Sequence, residues 1–169
     1  MTQADFAEQM VAQMPYLRAL AVSMSGSWSV ADDLVQETLV KAWAHADSFA
    51  PGSNMRAWLV TILRNTFFSH YRKSAREVQD SDNVHAEQTP VKGEQEATVS
   101  MGDVQRALNK LAPEHREILL MIGIAELSYE ETAEICHIAV GTVKSRLNRA
   151  RVKLAEHLGL VSPHEILKL

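Results

Sequence analysis

Residues 128 to 154, SYEETAEICHIAVGTVKSRLNRARVKL, hold two helical periodicities separated by too few residues for anything but a tight turn. In the second, Val140, Val143, Leu147, Ala150 and Leu154 recur at spacings of three and four, which places them on one stripe of a helix. The opposite stripe carries Thr142, Ser145, Arg146, Arg149 and Lys153, and within that helix no acid occurs before Glu156. Such a face suits the major groove, because arginine bonds bidentately to guanine edges while Thr, Ser and Lys hold bases or phosphates. Ahead of it, Ser128 and Glu131 form an S-x-x-E capping box that starts a helix. That helix is expected to bury Ala133 and Ile135 and to end near Cys136-His137-Ile138. An ordinary amphipathic surface helix also carries charges. The capped partner at the right spacing and the missing acids favour a helix-turn-helix that reads duplex DNA.

The rest of the chain supports an all-α class. Only 7 glycines and 5 prolines occur in 169 residues, alternation of period two is absent, and helical periodicity recurs almost throughout. From Asp5 to about Met24, Phe6, Met10, Val11, Met14, Leu17, Ala21 and Met24 share a broad stripe, with Pro15 placed to kink or break it. A second helix is expected after Ser29, with Asp32 as a weak capping acid, running to about Ala46. It buries Ala31, Leu34, Val35, Thr38, Leu39, Ala42 and Trp43, and leaves Asp32, Asp33, Gln36 and Glu37 outward. That acidic face is either solvated or a docking surface for a basic partner.

After a loop at Phe49 to Ser53, a third helix covers about Asn54 to Arg76, with Trp58, Leu59, Ile62, Leu63, Phe67 and Tyr71 inward. Arg56, Arg64, Asn65, Arg72 and Lys73 face solvent. A basic helix beside a loop holding Ser53 and Asn54 fits a single-strand site, where a positive groove tracks the backbone. Trp28, Trp43, Trp58, Phe67 and Tyr71 are expected to pack in the core. Residues 77 to 100 lack an apolar stripe and form an acidic flexible linker of about two dozen residues, spanning on the order of 25 to 30 Å. The organisation is thus two small helical domains, 1–76 and 101–158, with a tail at 159–169. In the second, Val104, Leu108 and Leu111 share a face, and Pro113 opens a helix burying Ile118, Leu119 and Ile122.

The formal net charge of −4 is unexpected for a chain that grips a polyanion. Its distribution explains the sum, since residues 54 to 76 hold five cations and no acid, while the linker is acidic. Free in solution the chain should bind DNA weakly, so a partner that delivers it is expected.

The segments DDLVQETLVKAW, SFAPGSNMRAWLVTILRNTFFSHYRK, LAPEHREILLMIG and SYEETAEICHIAVGTVKSRLNRARVKL, in that order and spacing, resemble the extracytoplasmic-function sigma factors of bacterial RNA polymerase. The stretch around the third helix, the Arg76-Glu77-Val78 that follows and AEICHIAVGTVKSR are similar to the general stress response branch of alphaproteobacteria, EcfG. The resemblance implies that Asp32, Asp33, Gln36 and Glu37 dock on the β′ clamp helices of core polymerase, with the β flap as a further contact. It implies that Ser53, Asn54, Arg56, Arg64, Asn65, Arg72 and Lys73 melt and read the minus-ten element. Thr142, Lys144, Ser145, Arg146, Arg149 and Lys153 would read the minus-thirty-five element. It further implies an anti-sigma factor of NepR type, removed by a phosphorylated response regulator, PhyR.

No cofactor, metal or catalytic residue is expected, because the 7 histidines show no metal spacing and no phosphate-cradling glycine loop is present. Two other functions compete with promoter-specific initiation. A sigma-like decoy that binds an anti-sigma factor without DNA would carry a receiver domain, for which no βαβ pattern exists. A stand-alone helix-turn-helix regulator leaves the first domain unexplained. With one cysteine and no apolar run of membrane-spanning length, a cytoplasmic protein, monomeric when free, is expected.

Overall fold

The computed structural model describes residues 2–80 and 100–160, and for 75–80 the backbone alone. Eight α-helices run through the described residues: α1 (Gln3–Ala12), α2 (Met14–Ser25), α3 (Trp28–Ala44), α4 (Met55–Asp80), α5 (Met101–Asn109), α6 (Pro113–Gly123), α7 (Tyr129–Cys136) and α8 (Val140–His157). One short 3-10 turn, Ala46–Ser48, joins α3 to the loop before α4. Most of the expected linker and tail lie outside the described residues.

Local chemistry sets most of the helix ends. Pro15 sits in the first turn of α2 and lacks the N–H that a continuous helix would need there, so α1 stops at Ala12 and Gln13 caps both helices. The start of α3 differs from expectation. Gly26 closes α2 in the left-handed conformation, with φ of 71°, and Ser27, not Ser29, is the N-cap, its hydroxyl accepting from the Val30 N–H. The turn is tighter than the apolar pattern suggests, and Asp32 therefore plays no part in capping. α3 also ends at Ala44, and α4 continues four residues past the expected boundary, to Asp80.

In the second half, both capping boxes are complete. Ser100 and Asp103 start α5, and Ser128 and Glu131 start α7 by reciprocal side-chain to backbone bonds. His137 ends α7 at φ of 55°, which turns the chain within three residues into α8. Cys136, the last residue of α7, is half-buried beside Met121, and burial pushes its thiol pKa up to about 11, so it stays protonated and packs as a small apolar group.

The core is continuous across both halves of the chain. Leu17, Leu20, Leu34, Leu59 and Leu63 are sealed from solvent together with Leu108, Leu120, Met121 and Leu127. Ala21, Ala31 and Ala42 are wholly buried, and such small residues let α2 and α3 approach closely. A smaller cluster of Ile118, Ala133, Val143 and Leu147 holds the helix-turn-helix on α6. α6 therefore packs on α2 at one face and on α8 at another. That double contact is why Leu120 and Met121 join Ile118 in the interior while Leu119 and Ile122, expected there, are only half-buried. The two modules are packed together rather than held apart.

Three aromatic residues expected in the core stand at the surface. Trp28 is 65% exposed, Trp43 45% and Tyr71 67%. Trp28 opens α3 with the Arg18 guanidinium over its ring, 5.4 Å from the centroid, and the Trp43 ring lies 6.2 Å from that of Phe6 near the end of α3. Tyr71 stacks on Phe67 along α4 and lines an open cavity with Asn109 and Arg116 of the second module, which leaves its ring largely in solvent. The interior of α4 is filled instead by Leu59, Val60, Leu63 and Thr66, with Trp58, Ile62 and Phe67 half-buried.

Candidate nucleic-acid interface

Two basic surfaces and one acidic surface come out of this packing. The first belongs to α8. Val143, Leu147, Ala150 and Leu154 are buried, and Val140 is half-buried, so the apolar seam lies where its spacing places it. The opposite face follows by geometry: Lys144, Ser145, Arg149 and Lys153 are exposed, and Thr142 and Arg146 half-exposed. Ser145 donates its hydroxyl proton to the Thr142 carbonyl at 3.1 Å, and the Lys144 ammonium lies 5.8 Å from the Tyr129 ring centre. Among the described residues no carboxylate forms an ion pair with this face. The N-terminus of α8 has no side-chain cap on Ala139, which leaves its first N–H groups open to a phosphate. A helix with free cations along one face and an open N-terminus can enter a major groove.

The second basic surface is α4 and the loop before it. Phe49 anchors that loop by packing on Phe6 and Trp58, with centroids 5.9 and 5.3 Å away. Asn54 caps α4, its side-chain oxygen accepting from the backbone N–H of Arg56 at 3.0 Å and of Ala57 at 3.3 Å. Ser53 is turned back on the loop, donating to the Ala50 carbonyl at 2.7 Å. Asn65, Arg72 and Lys73 are exposed along the helix.

The remaining residues of this group are not free. The Asn54 amide donates to Glu131. Arg56 donates to Gln13 at 2.9 Å, to the Ala125 carbonyl at 3.2 Å and to Glu126 at 2.8 Å, while its guanidinium lies over the Tyr16 ring. Arg64 pairs with Glu117 and stacks 5.0 Å from the Phe68 centroid. Burial alone would lower the Arg64 pKa, but the Glu117 carboxylate reverses the effect and raises it. The second module thus lays two acids against Arg56 and Arg64, both expected to face solvent, and a third against the loop residue Asn54. Periodicity shows which residues leave the core, but not what a distant segment sets against them. One local sign exists, since Glu126 has φ of 54°, an uncommon conformation for a residue with a side chain.

The acidic surface is on α3. Asp32, Asp33 and Gln36 are exposed and Glu37 is half-exposed. Asp32 pairs with Arg18 at 2.8 Å, and Glu37 with Lys41 at 2.6 Å and with His70 at 2.7 Å. The Lys41 bond, with help from His70, holds the Glu37 carboxyl below its ordinary pKa. Beside these acids runs an open, largely apolar groove of about 770 Å³, walled by Met14, Trp28, Val35 and Leu39 and edged by Asp32 and Gln36. Trp28, misjudged as core, is one of its walls.

Among the described residues no group of His, Cys, Asp or Glu could hold a metal ion, and no helix is long and apolar enough to cross a membrane. The chain matches the family models for sigma-70 region 2 over residues 10–77 and sigma-70 region 4 over residues 101–154. It is 51% identical to the ECF RNA polymerase sigma factor EcfG of Rhodopseudomonas palustris, over 88% of this chain and 82% of that one. Its fold is similar to that of the sigma factor RpoE from Bartonella quintana, solved in complex with the anti-sigma factor NepR. That likeness has a TM-score of 0.84 at 47% identity and covers 94% of this chain and 99% of RpoE. The anti-anti-sigma factor PhyR of the same organism, complexed with NepR, shares the fold at a TM-score of 0.57 and 21% identity. Here 89% of this chain matches 49% of PhyR.

Proposed function

The chain belongs to the extracytoplasmic-function sigma factors of bacterial RNA polymerase, transcription initiation factors, and we propose how its surfaces divide that work. The exposed face of α8, with Thr142, Lys144, Ser145, Arg146, Arg149 and Lys153, reads the minus-thirty-five element. The loop and α4 face, with Ser53, Asn54, Arg56, Arg64, Asn65, Arg72 and Lys73, take the minus-ten element. Asp32, Asp33, Gln36 and Glu37 dock on the β′ clamp helices, with Trp28 and Leu39 in the neighbouring groove adding apolar contact, and the second module meets the β flap. The chain orders polymerase and promoter in the cytoplasm and contributes no chemistry of its own. The observation that carries the assignment is the free cationic face of α8, on which no acid of the described residues folds back.

The likeness to EcfG supports promoters of a general stress response, and the likeness to RpoE supports control by an anti-sigma factor of NepR type. The decoy function is the weaker reading, since the resemblance to PhyR is more distant and the basic faces are intact. In vitro transcription with core polymerase of an alphaproteobacterium tests the assignment. Added protein is expected to give a transcript that starts at one position and depends on both promoter elements. A transcript independent of the added protein, or none, would sink it.

A further inference from the structure

Trp28 stands where its own helix cannot support it. Helical side chains lean toward the N-terminus and rest on the turn before their own, but Trp28 is the first residue of α3 and has no such turn behind it. Its ring is 65% exposed and walls the apolar groove that Asp32 and Gln36 edge. Support comes from the neighbouring helix. Arg18 of α2 sets its guanidinium over the Trp28 ring and grips both oxygens of Asp32, Nε lying 2.8 Å from one while Nη2 donates to the other at 3.1 Å. A forked contact fixes the plane of the guanidinium, and a fixed plane gives the ring a fixed face to lie on. Asp32 follows Trp28 by four residues, one turn along the same face, so ring, guanidinium and carboxylate form one cluster at the edge of the groove.

Fold stability does not account for this cluster. The Arg18 and Asp32 side chains are 55% and 53% exposed, and an ion pair so open to water contributes little. Attraction to a partner does not account for it either, because a cation set among acids that meet a basic surface weakens the pull. What the cluster supplies is order in a large side chain that would otherwise have to be ordered at the moment of binding, at a cost in free energy. We propose that Arg18 is a positioning residue of the polymerase-docking surface, holding the Trp28 ring through its fork on Asp32 as a preformed wall for an apolar side chain of core polymerase. Asp33 then provides charge and Trp28 shape, while Arg18 keeps that shape fixed.

The inference rests on the assignment of α3 to core polymerase. Association with and dissociation from immobilised core enzyme of an alphaproteobacterium are followed by interferometry for the full chain, Arg18→Met, Arg18→Lys, Trp28→Ala and the double variant of Arg18→Met with Trp28→Ala. Arg18→Met removes the fork and the cation but keeps an apolar stem. It is expected to speed dissociation about three- to tenfold, the cost of ordering one side chain on binding. Association should not slow, since the surface becomes more negative toward a basic partner. Arg18→Lys, which keeps a cation without the fork, should fall between. In the double variant, Arg18→Met should add no more than about twofold to the effect of Trp28→Ala, because the ring it acts through is gone. The melting temperature of Arg18→Met should stay unchanged, both partners of the pair being exposed. If the unaltered chain fails to bind core enzyme, the assignment of α3 falls and this inference with it. If it binds, and Arg18→Met either dissociates no faster or costs as much without Trp28 as with it, the positioning role alone is overturned. Faster dissociation together with a lowered melting temperature would make Arg18 a structural residue and overturn the role as well.

Discussion

Arg149 is exposed on α8 and tied to no carboxylate of the described residues, so it can meet a base edge without breaking a bond first. Arg149→Ala should reduce discrimination at one base pair by about 1 to 3 kcal/mol, the worth of one bidentate contact. Competition between the intact upstream element and single-base variants measures it, and an equal loss on scrambled DNA would mark a phosphate contact instead. On α3 the acids differ in the same way. Asp32 and Glu37 are held by Arg18 and Lys41, whereas Asp33 is exposed and makes no ion pair among the described residues. Asp33→Lys should therefore weaken association with core polymerase while helicity stays unchanged. Co-elution with core enzyme and circular dichroism give the two readings, and undiminished co-elution would remove Asp33 from the docking surface.

At the scale of elements, the helix-turn-helix depends on a cap at one end and a buried seam at the other. Leu147 is 2% exposed in the cluster with Ile118, Ala133 and Val143, so Leu147→Ala should destabilise the chain by about 2 to 5 kcal/mol in denaturant unfolding. Ser128→Ala removes the hydroxyl that accepts the Glu131 N–H and should cost about 1 kcal/mol by the same measurement. These elements were legible in the sequence because their determinants are local: Ser128 lies three residues from Glu131, and the seam repeats within one helix. The start of α3 was less legible, because Gly26 closes α2 by a backbone conformation that a side-chain pattern does not encode. Tyr71 continues the stripe of α4 yet stands exposed, since helical phase does not say how closely the facing helices approach, and here an open cavity lies between Tyr71 and Arg116. The acids on Arg64, Arg56 and Asn54 were not legible at all, being separated from them by 53, 70 and 77 residues.

At the scale of the whole molecule, those three long-range contacts join the apolar core in tying the two modules together. Under the proposed function, Asn54, Arg56 and Arg64 serve the minus-ten element, yet here they hold Glu131, Glu126 and Glu117, so the carboxylates stand where an anionic strand would otherwise bind. The pairs are not equivalent. Glu126 is 62% exposed and its bond to Arg56 is open to screening, whereas Glu117 is 11% exposed and shielded by the junction. Glu131 adds a pH dependence of definite sign. Its burial favours the protonated form, but its bonds to Ser128 and Asn54 outweigh that and lower its pKa from the ordinary 4.5. A carboxyl with a depressed folded pKa stabilises fully above the unfolded value and loses that contribution as pH falls through the folded one. The contribution of Glu131 to the packed state should therefore be fully present above about pH 4.5 and be lost in acid below it. Replacing Glu117 and Glu126 together by Gln removes two of the three anions without adding a charge. The double variant should show a larger radius of gyration by small-angle scattering at neutral pH, and tighter binding to a single strand bearing the minus-ten element. Unchanged dimensions would mean that the apolar contact of α2 with α6 holds the modules by itself, with the ion pairs setting only their register.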